Sequence, residues 1–429
     1  MRIVFFTENS YSGGLDVFLT NLINKWPNET DELVLMCNRS HPGIVHVQER
    51  LTRPCEIILH DLPMFWDLLA RIRQLPCGGL LSKIATITLR HVHLLLNIGR
   101  CRDLIAKRAA DRLVVVNGGY PGGDSCRAAA LAWKSLARAR NLPLSIQNIH
   151  NLAIPARVWE RCAEKMLDRR VVAATHRFAV VSAATERALR QRLPDDTTPE
   201  IRVILNGVAE PGPADPDAAS GLRRELGFGP QTPLCLMLGT YEPRKGHAFL
   251  FTAFRDVVSR IPDARLLVCG FGYPDDITRV KRIAQDAGII DKTVFCDFRD
   301  DIDTLYSAAD VLAVPSQAFE SFGLTVAEAM ARGLPVVTTD IGGLPEVVGN
   351  GGLQANGGVS VSATDAVGFA NALSRVLEDR DAARKIGLAG IERYQAYFRS
   401  SRMAADYAAV IRADVGRNAC LLTPSADLT

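Results

Sequence analysis

Residues 320–348 read ESFGLTVAEAMARGLPVVTTDIGGLPEVV. An apolar strand ending at Pro315 leads in, and the pattern after Ser321 predicts a short helix over 323–332 that closes at Gly333 with Pro335 just beyond. A helix start presents unpaired backbone N–H groups and a positive dipole end, which suit a phosphate or another anion. Phe322, Gly323 and Leu324 offer those amides. Glu320 stands in the loop before the helix and can reach hydroxyl groups, while Glu328 lies over a turn inside it. Taken alone, the two carboxylates also read as solvent-facing acids on an ordinary helix.

A second strand end, Gly239-Thr240-Tyr241-Glu242-Pro243-Arg244-Lys245-Gly246-His247, lies about 75 residues upstream and again leads into a helix. Adjacent Arg244 and Lys245 can aim a forked guanidinium and a point-charge ammonium at a diphosphate. Two exposed turn cations are the plainer reading of the same pair.

Around these stretches short apolar runs alternate with amphipathic segments, the pattern of parallel sheets covered by helices. Strands are expected at Arg2–Phe6, Leu33–Met36, Leu113–Val116, Ser145–Ile149, Phe178–Val181 and Arg202–Ile204. After a proline-rich stretch a second set is expected near Leu234–Leu238, Arg265–Cys269, Thr293–Cys296, Val311–Val314 and Val336–Val337. The fold class is therefore α/β, with two Rossmann-like doubly wound domains. The boundaries are 1–210 for an N-terminal domain, 211–221 for a linker and 222–395 for a C-terminal domain. A helix over 396–417 can pack back on the N-terminal domain, and 418–429 reads as a flexible tail.

With 429 residues, 48% hydrophobic and 23% charged, the chain has ample apolar material for two cores and too little charge for wholesale disorder. The formal charge of +3 averages two opposite halves. Residues 1–212 hold 28 basic and 20 acidic residues, and the remainder 22 and 27. Between Arg53 and Arg140 there are 14 basic residues against 6 acidic, a composition that favours an anionic partner or a lipid surface. Solvated helix faces account for it equally well. No run reaches the roughly 18 apolar residues of a spanning helix, and no signal peptide is apparent. Ten cysteines without a C-x-x-C pair read as reduced thiols, so a cytoplasmic protein is expected.

Together the two stretches resemble the retaining glycosyltransferases of family 4, whose fold is GT-B, with two domains facing across a cleft. Residues 320–348 are similar to that family's E-x7-E motif and the Gly-Gly-x-Pro-Glu turn that follows. The Arg244-Lys245-Gly246 turn, Asn206-Gly207-Val208, the Gly13-Gly14 loop and Ile149-His150-Asn151 extend the likeness over nearly the whole chain. The resemblance implies that Arg244 and Lys245 bind the diphosphate of a nucleotide-sugar donor, Glu328 its ribose and Glu320 the transferred sugar. Amides at Phe322, Gly323, Leu324, Gly13 and Gly14 would complete the phosphate cradle, and His150 would stand near the reacting sugar. A plain βα turn at Gly13-Gly14 and a structural role for His150 remain open. Thr240 stands where many members of the family carry an arginine, which puts the cationic load on Arg244 and Lys245.

The activity so implied is retaining transfer of a sugar, of the hexosyltransferase type, to a glycan or lipid-linked acceptor hydroxyl. Neither a cofactor nor a metal is required, because fixed cations replace Mg²⁺. A GT-B-like epimerase or phosphorylase, or a non-catalytic glycan- or membrane-binding subunit, are the alternatives. No nucleic-acid partner is indicated. Residues 80–98 combine apolar residues with Lys83, Arg90, His91 and His93, a pattern of either a core helix or one lying on an anionic membrane at its inner face. His91 and His93 lack a carboxylate or cysteine at ligand spacing and read as helix surface.

Overall fold

Runs such as Arg2–Thr7 and Arg112–Asn117 are apolar on both of their alternating faces, which a strand tolerates only when helices cover both sides of its sheet. The computed structural model describes residues 1–75, 78–213, 215–349 and 357–413. It divides into two compact units, 1–205 with 401–429, and 206–400.

The first unit is built on seven parallel strands: β1 (Arg2–Thr7), β2 (Glu32–Asn38), β3 (Glu56–His60), β4 (Arg112–Asn117), β5 (Ser145–Ile149), β6 (Thr175–Val180) and β7 (Ile201–Val203). Their order is β3-β2-β1-β4-β5-β6-β7. Phe5 lies opposite Leu35 on one side and Val114 on the other. The winding therefore reverses between β1 and β4, the place where open α/β sheets take ligands at their carboxyl edge. The helix Ser400–Arg412 belongs to this unit, with Met403, Tyr407 and Ile411 buried against Phe18, Ile146 and Ala179. Its C-terminal carbonyls at Ile411 and Val410 accept from Arg112 Nε at 3.1 Å and Arg177 Nη1 at 3.2 Å.

The second unit has six parallel strands: β8 (Leu234–Leu238), β9 (Arg265–Cys269), β10 (Thr293–Cys296), β11 (Val311–Val314), β12 (Val336–Thr339) and β13 (Val359–Val361), in the order β10-β9-β8-β11-β12-β13. The reversal here falls between β8 and β11. The loops after these two strands are thus neighbours, although about 75 residues separate them in sequence.

Two expectations change. The stretch 211–221 is only in part a connector. Pro216–Glu225 is a helix, capped by the Asp215 carboxylate on the amides of Asp217 and Ala218 at 3.0 and 2.9 Å, with Ala219 and Leu222 buried. Proline at its first position and aspartate before it are helix-start signals that the count of prolines obscured. The C-terminal helix runs over Ser400–Arg412 and is preceded by another, Arg380–Tyr397, inside the second unit. The short strands β3 and β13 were not foreseen, since each carries little more than a turn's worth of apolar residues. The tail from 418 lies outside the described residues.

Candidate donor site

The switch point of the second sheet brings the two marked stretches together. After β8, Pro243–Lys245 form a single tight turn, and Gly246 takes φ of +81° to start the helix His247–Arg260. A Cβ at Gly246 would lie 1.8 Å from the Pro315 carbonyl oxygen, so only glycine lets this turn press on the loop after β11. Gln317 N–H donates to the Arg244 carbonyl at 2.8 Å and fastens the two loops.

That contact places Lys245 Nζ 2.7 Å from Glu320 Oε2, with both side chains mostly buried. Ser316 Oγ adds a longer donation to the same carboxylate oxygen at 3.3 Å. The Glu320 backbone is itself held: its carbonyl accepts from Gly343 N–H at 2.8 Å, and a Cβ on Gly342, at φ of +62°, would fall 2.0 Å from that oxygen. The Gly-Gly pair thus clamps the loop that carries Glu320. Arg244 points differently. Its Nε donates to Glu242 Oε2 at 2.6 Å, and its guanidinium lies over the Phe319 ring, 5.0 Å from the centroid. Burial raises the Glu242 carboxyl, but hydrogen bonds from Arg244 and Thr240 outweigh it and hold the group below the usual carboxylate range.

The helix Leu324–Ala331 begins behind Gly323, which is in the left-handed region at φ of +96°. The Gly323 carbonyl accepts from Val326 and Ala327, whereas the amides of Phe322, Gly323 and Leu324 donate to no group among the described residues. They leave open a helix start of the kind that suits an anion. Phe322 is fully buried, its ring edge-on to Phe398 at 5.6 Å.

Glu328 lies one turn further on, half-buried, and accepts from the Tyr306 hydroxyl at 2.8 Å. Burial pushes this carboxyl above its usual range, against the pull of Tyr306 and Arg332. Arg332 covers the far face of the Tyr306 ring at 4.9 Å and donates to the Glu328 carbonyl at 2.7 Å and to Asp303 Oδ1 at 2.6 Å. Tyr306, on the helix Ile302–Ala308, went unnoticed in the sequence because a buried aromatic at helical spacing reads simply as core.

In the first unit Gly13 and Gly14 lie at the end of the loop after β1, at the sheet's switch point, and His150 stands after β5, beside β4. Gly13 precedes the helix Gly14–Asn24, but its N–H is spent on Asp16 Oδ2 at 3.0 Å, so the expected Gly13 contribution to a phosphate cradle is already engaged within the chain. His150 follows β5, its N–H donating to the Asn117 carbonyl at 3.0 Å and its ring 4.0 Å from that of Phe18. Burial drives the imidazole down to about 3, and its Nε2 finds no hydrogen-bond partner among the described residues. A buried, neutral, unsatisfied ring nitrogen is costly unless something binds it. Glu8, directly after β1, was not singled out in the sequence. It accepts from Ser125 N–H at 3.0 Å and from the Ser125 hydroxyl, and burial raises its pKa. His91 is exposed, and His93 is half-buried beside the Phe65 ring at 5.4 Å.

Residues 220–393 match the family model for glycosyl transferases group 1. Among characterised proteins, the chain is 35% identical over 176 residues to a D-inositol 3-phosphate glycosyltransferase of Corynebacterium diphtheriae, covering 40% of each chain. It is 32% identical over 209 residues to a GDP-mannose-dependent alpha-(1-6)-phosphatidylinositol monomannoside mannosyltransferase of Mycobacterium tuberculosis, covering 47% of this chain and 52% of the relative. The chain spans about half the length of the curated relatives it matches. Among solved structures, Anabaena Alr3699/HepE in complex with UDP superposes with a TM-score of 0.69 at 18% identity, over 96% of this chain and 100% of that one. The sucrose-phosphate synthase tll1590 of Thermosynechococcus elongatus gives 0.69 at 21% identity, over 97% and 99%. Residues 220–393 are thus similar to the glycosyl transferases group 1 family, and the two Rossmann-like units have the fold of the GT-B glycosyltransferases.

Proposed function

We propose that this protein transfers a sugar from a nucleotide-diphosphate sugar to an acceptor hydroxyl with retention of anomeric configuration, in glycan or glycolipid synthesis. The observation that carries the reading is the Lys245–Glu320 pair set beside the open amide end of Leu324–Ala331, with Glu328 one turn away. A cation, a helix start and two carboxylates at one switch point suit a sugar diphosphate.

Breaking the anomeric bond builds negative charge on the diphosphate and positive charge on the sugar. Lys245, Arg244 and the amides of Phe322, Gly323 and Leu324 stabilise the first, and they do so with fixed charges in place of a metal ion. Glu328 accepts from the ribose hydroxyls, and Glu320 contacts the transferred sugar. Gly14 supplies a further amide. His150, neutral with an unpaired Nε2, accepts a hydrogen bond from a hydroxyl or donates one to a sugar oxygen according to its tautomer, and so orients the reacting ring. Two of the similar proteins are named as a D-inositol 3-phosphate glycosyltransferase and a phosphatidylinositol monomannoside mannosyltransferase. An acceptor of that polyol-phosphate or lipid-linked class fits the basic first half, as does peripheral contact with an anionic membrane at the cytoplasmic face.

The test is donor turnover with UDP-, GDP- and ADP-sugars offered with inositol phosphate and glycolipid acceptors. Lys245→Ala and Glu328→Ala are each expected to lower transfer by at least about 100-fold, the scale of losing one charge-stabilising group. Transfer is expected to persist in EDTA. Near-normal turnover in both variants, or a strict metal requirement, would refute the reading.

A further inference from the structure

Among the side chains described, the helix Gly78–Ala106 is anchored by one face and exposes a row of leucines and a valine on the opposite one. Leu94, Asn97, Cys101 and Ile105 are buried, and Asn97 Nδ2 donates to the Pro63 carbonyl at 2.9 Å. Arg90, on the same side, pairs with Asp124 at 3.3 Å and with Glu164 at 3.3 Å. Leu81, Leu89, Val92, Leu95 and Leu96, by contrast, are between 41% and 61% exposed. At 100° per residue these five fall within about 120° of arc, diametrically away from the buried face, along about 22 Å of helix. A solvated helix carries polar residues there.

The charges flanking the stripe point to its occupant. Arg71, Arg73, Arg100, Arg102 and Lys107 are exposed and form no ion pair among the described residues, and His91 is exposed with them. The exposed acids on this helix, on the preceding helix Phe65–Arg73 and on the turn after Ala106 are Asp67 and Asp103, the latter on the stripe's arc but two turns beyond Leu96. On the helical wheel Arg100 and Arg102 border opposite edges of the apolar stripe. An apolar stripe edged by cations matches acyl chains below anionic headgroups. No described helix is long and apolar enough to cross a membrane, so this one would lie in the plane of the surface.

We propose that the exposed face of Gly78–Ala106 docks on an anionic lipid surface, with Leu89, Val92, Leu95 and Leu96 inserted among the acyl chains. The docking is independent of the transfer reaction: a protein that transferred no sugar would still bind. The probe is phosphatidylcholine vesicles with and without phosphatidylglycerol, and the readout is co-flotation of the full chain. Wild-type protein is expected to bind the anionic vesicles and to lose that binding as salt rises. Leu95→Gln/Leu96→Gln should lower partitioning by at least about tenfold, and Arg100→Gln/Arg102→Gln by roughly tenfold on anionic vesicles only. Leu388→Gln, at an exposed leucine of the second unit, should change nothing. All the substituted side chains are exposed, so thermal unfolding midpoints should stay level and separate docking from misfolding. Absence of binding by wild type, or equal binding by the Leu95→Gln/Leu96→Gln variant, overturns the proposal. So does a dimer in light scattering that this variant dissolves, which would assign the stripe to a second copy of the chain.

Discussion

Glu320→Gln removes one negative charge from beside Lys245 and leaves the side chain's shape almost intact. Lys245 Nζ is held 2.7 Å from Glu320 Oε2, so a diphosphate that recruits the ammonium must compete with that carboxylate. At this 2.7 Å separation and an effective dielectric of 20 the gross attraction is about 6 kcal/mol. Desolvation of both groups, and the solvent that still reaches them, reduce the net value to about 1–2 kcal/mol. Neutralising Glu320 should therefore tighten binding of UDP or GDP by roughly five- to thirtyfold, while sugar transfer is lost. Lys245→Ala should weaken the same binding by a comparable factor. Isothermal titration of both variants with nucleoside diphosphates gives the answer directly. Weaker nucleotide binding by Glu320→Gln would refute the competition, and unchanged binding would show that Lys245 is not the diphosphate cation.

Two further outcomes concern pH. Tyr306→Phe removes the 2.8 Å donation to Glu328, whose carboxyl burial already raises, so the carboxylate becomes still harder to form. Binding that needs ionised Glu328 strengthens as pH rises through its raised pKa, and in Tyr306→Phe that rise should move up by about one pH unit; a nucleotide-affinity profile that does not move contradicts the pairing. Burial pushes the His150 imidazole down to about 3 from the usual 6.5, so below 6.5 the unfolded chain binds a proton that the native state refuses. Its contribution to stability is complete above pH 6.5 and is lost progressively as pH falls towards 3. His60 and His247, each lowered to about 4 by burial, act in the same direction. His150→Leu should flatten the slope of unfolding free energy between pH 6 and 4 by about 1.4 kcal/mol per pH unit, one proton's worth, in urea titrations; an unchanged slope would mean that His150 is already open to water.

The parallel strands were legible because burial on both faces demands unbroken apolar runs, and β1, β4, β8 and β11 all have them. The glycines of the site were legible for a different reason. Gly246 and Gly342 stand where a Cβ would collide with a backbone carbonyl, so the residue type itself marks a close approach. The helix Pro216–Glu225 was misread because prolines weigh towards a linker unless their position is judged against the capping Asp215. Tyr306 and Glu8 carried no local signal at all, since each depends on a partner that the fold supplies from elsewhere in the chain, whereas Gly13 is paired locally with Asp16, three residues on.

What the amino-acid order determines by itself is local: which segments are strands, where helices begin, and that Arg244, Lys245, Glu320 and Glu328 sit at strand ends or helix starts. Tertiary structure decides what those groups face. Because the winding of the second sheet reverses between β8 and β11, loops about 75 residues apart become neighbours and Lys245 meets Glu320. Burial then sets the ionisation of Glu328 and His150, and it decides which face of Gly78–Ala106 is packed and which is left bare. Dielectric environment and sheet order are properties of the folded chain, and no window of sequence contains them.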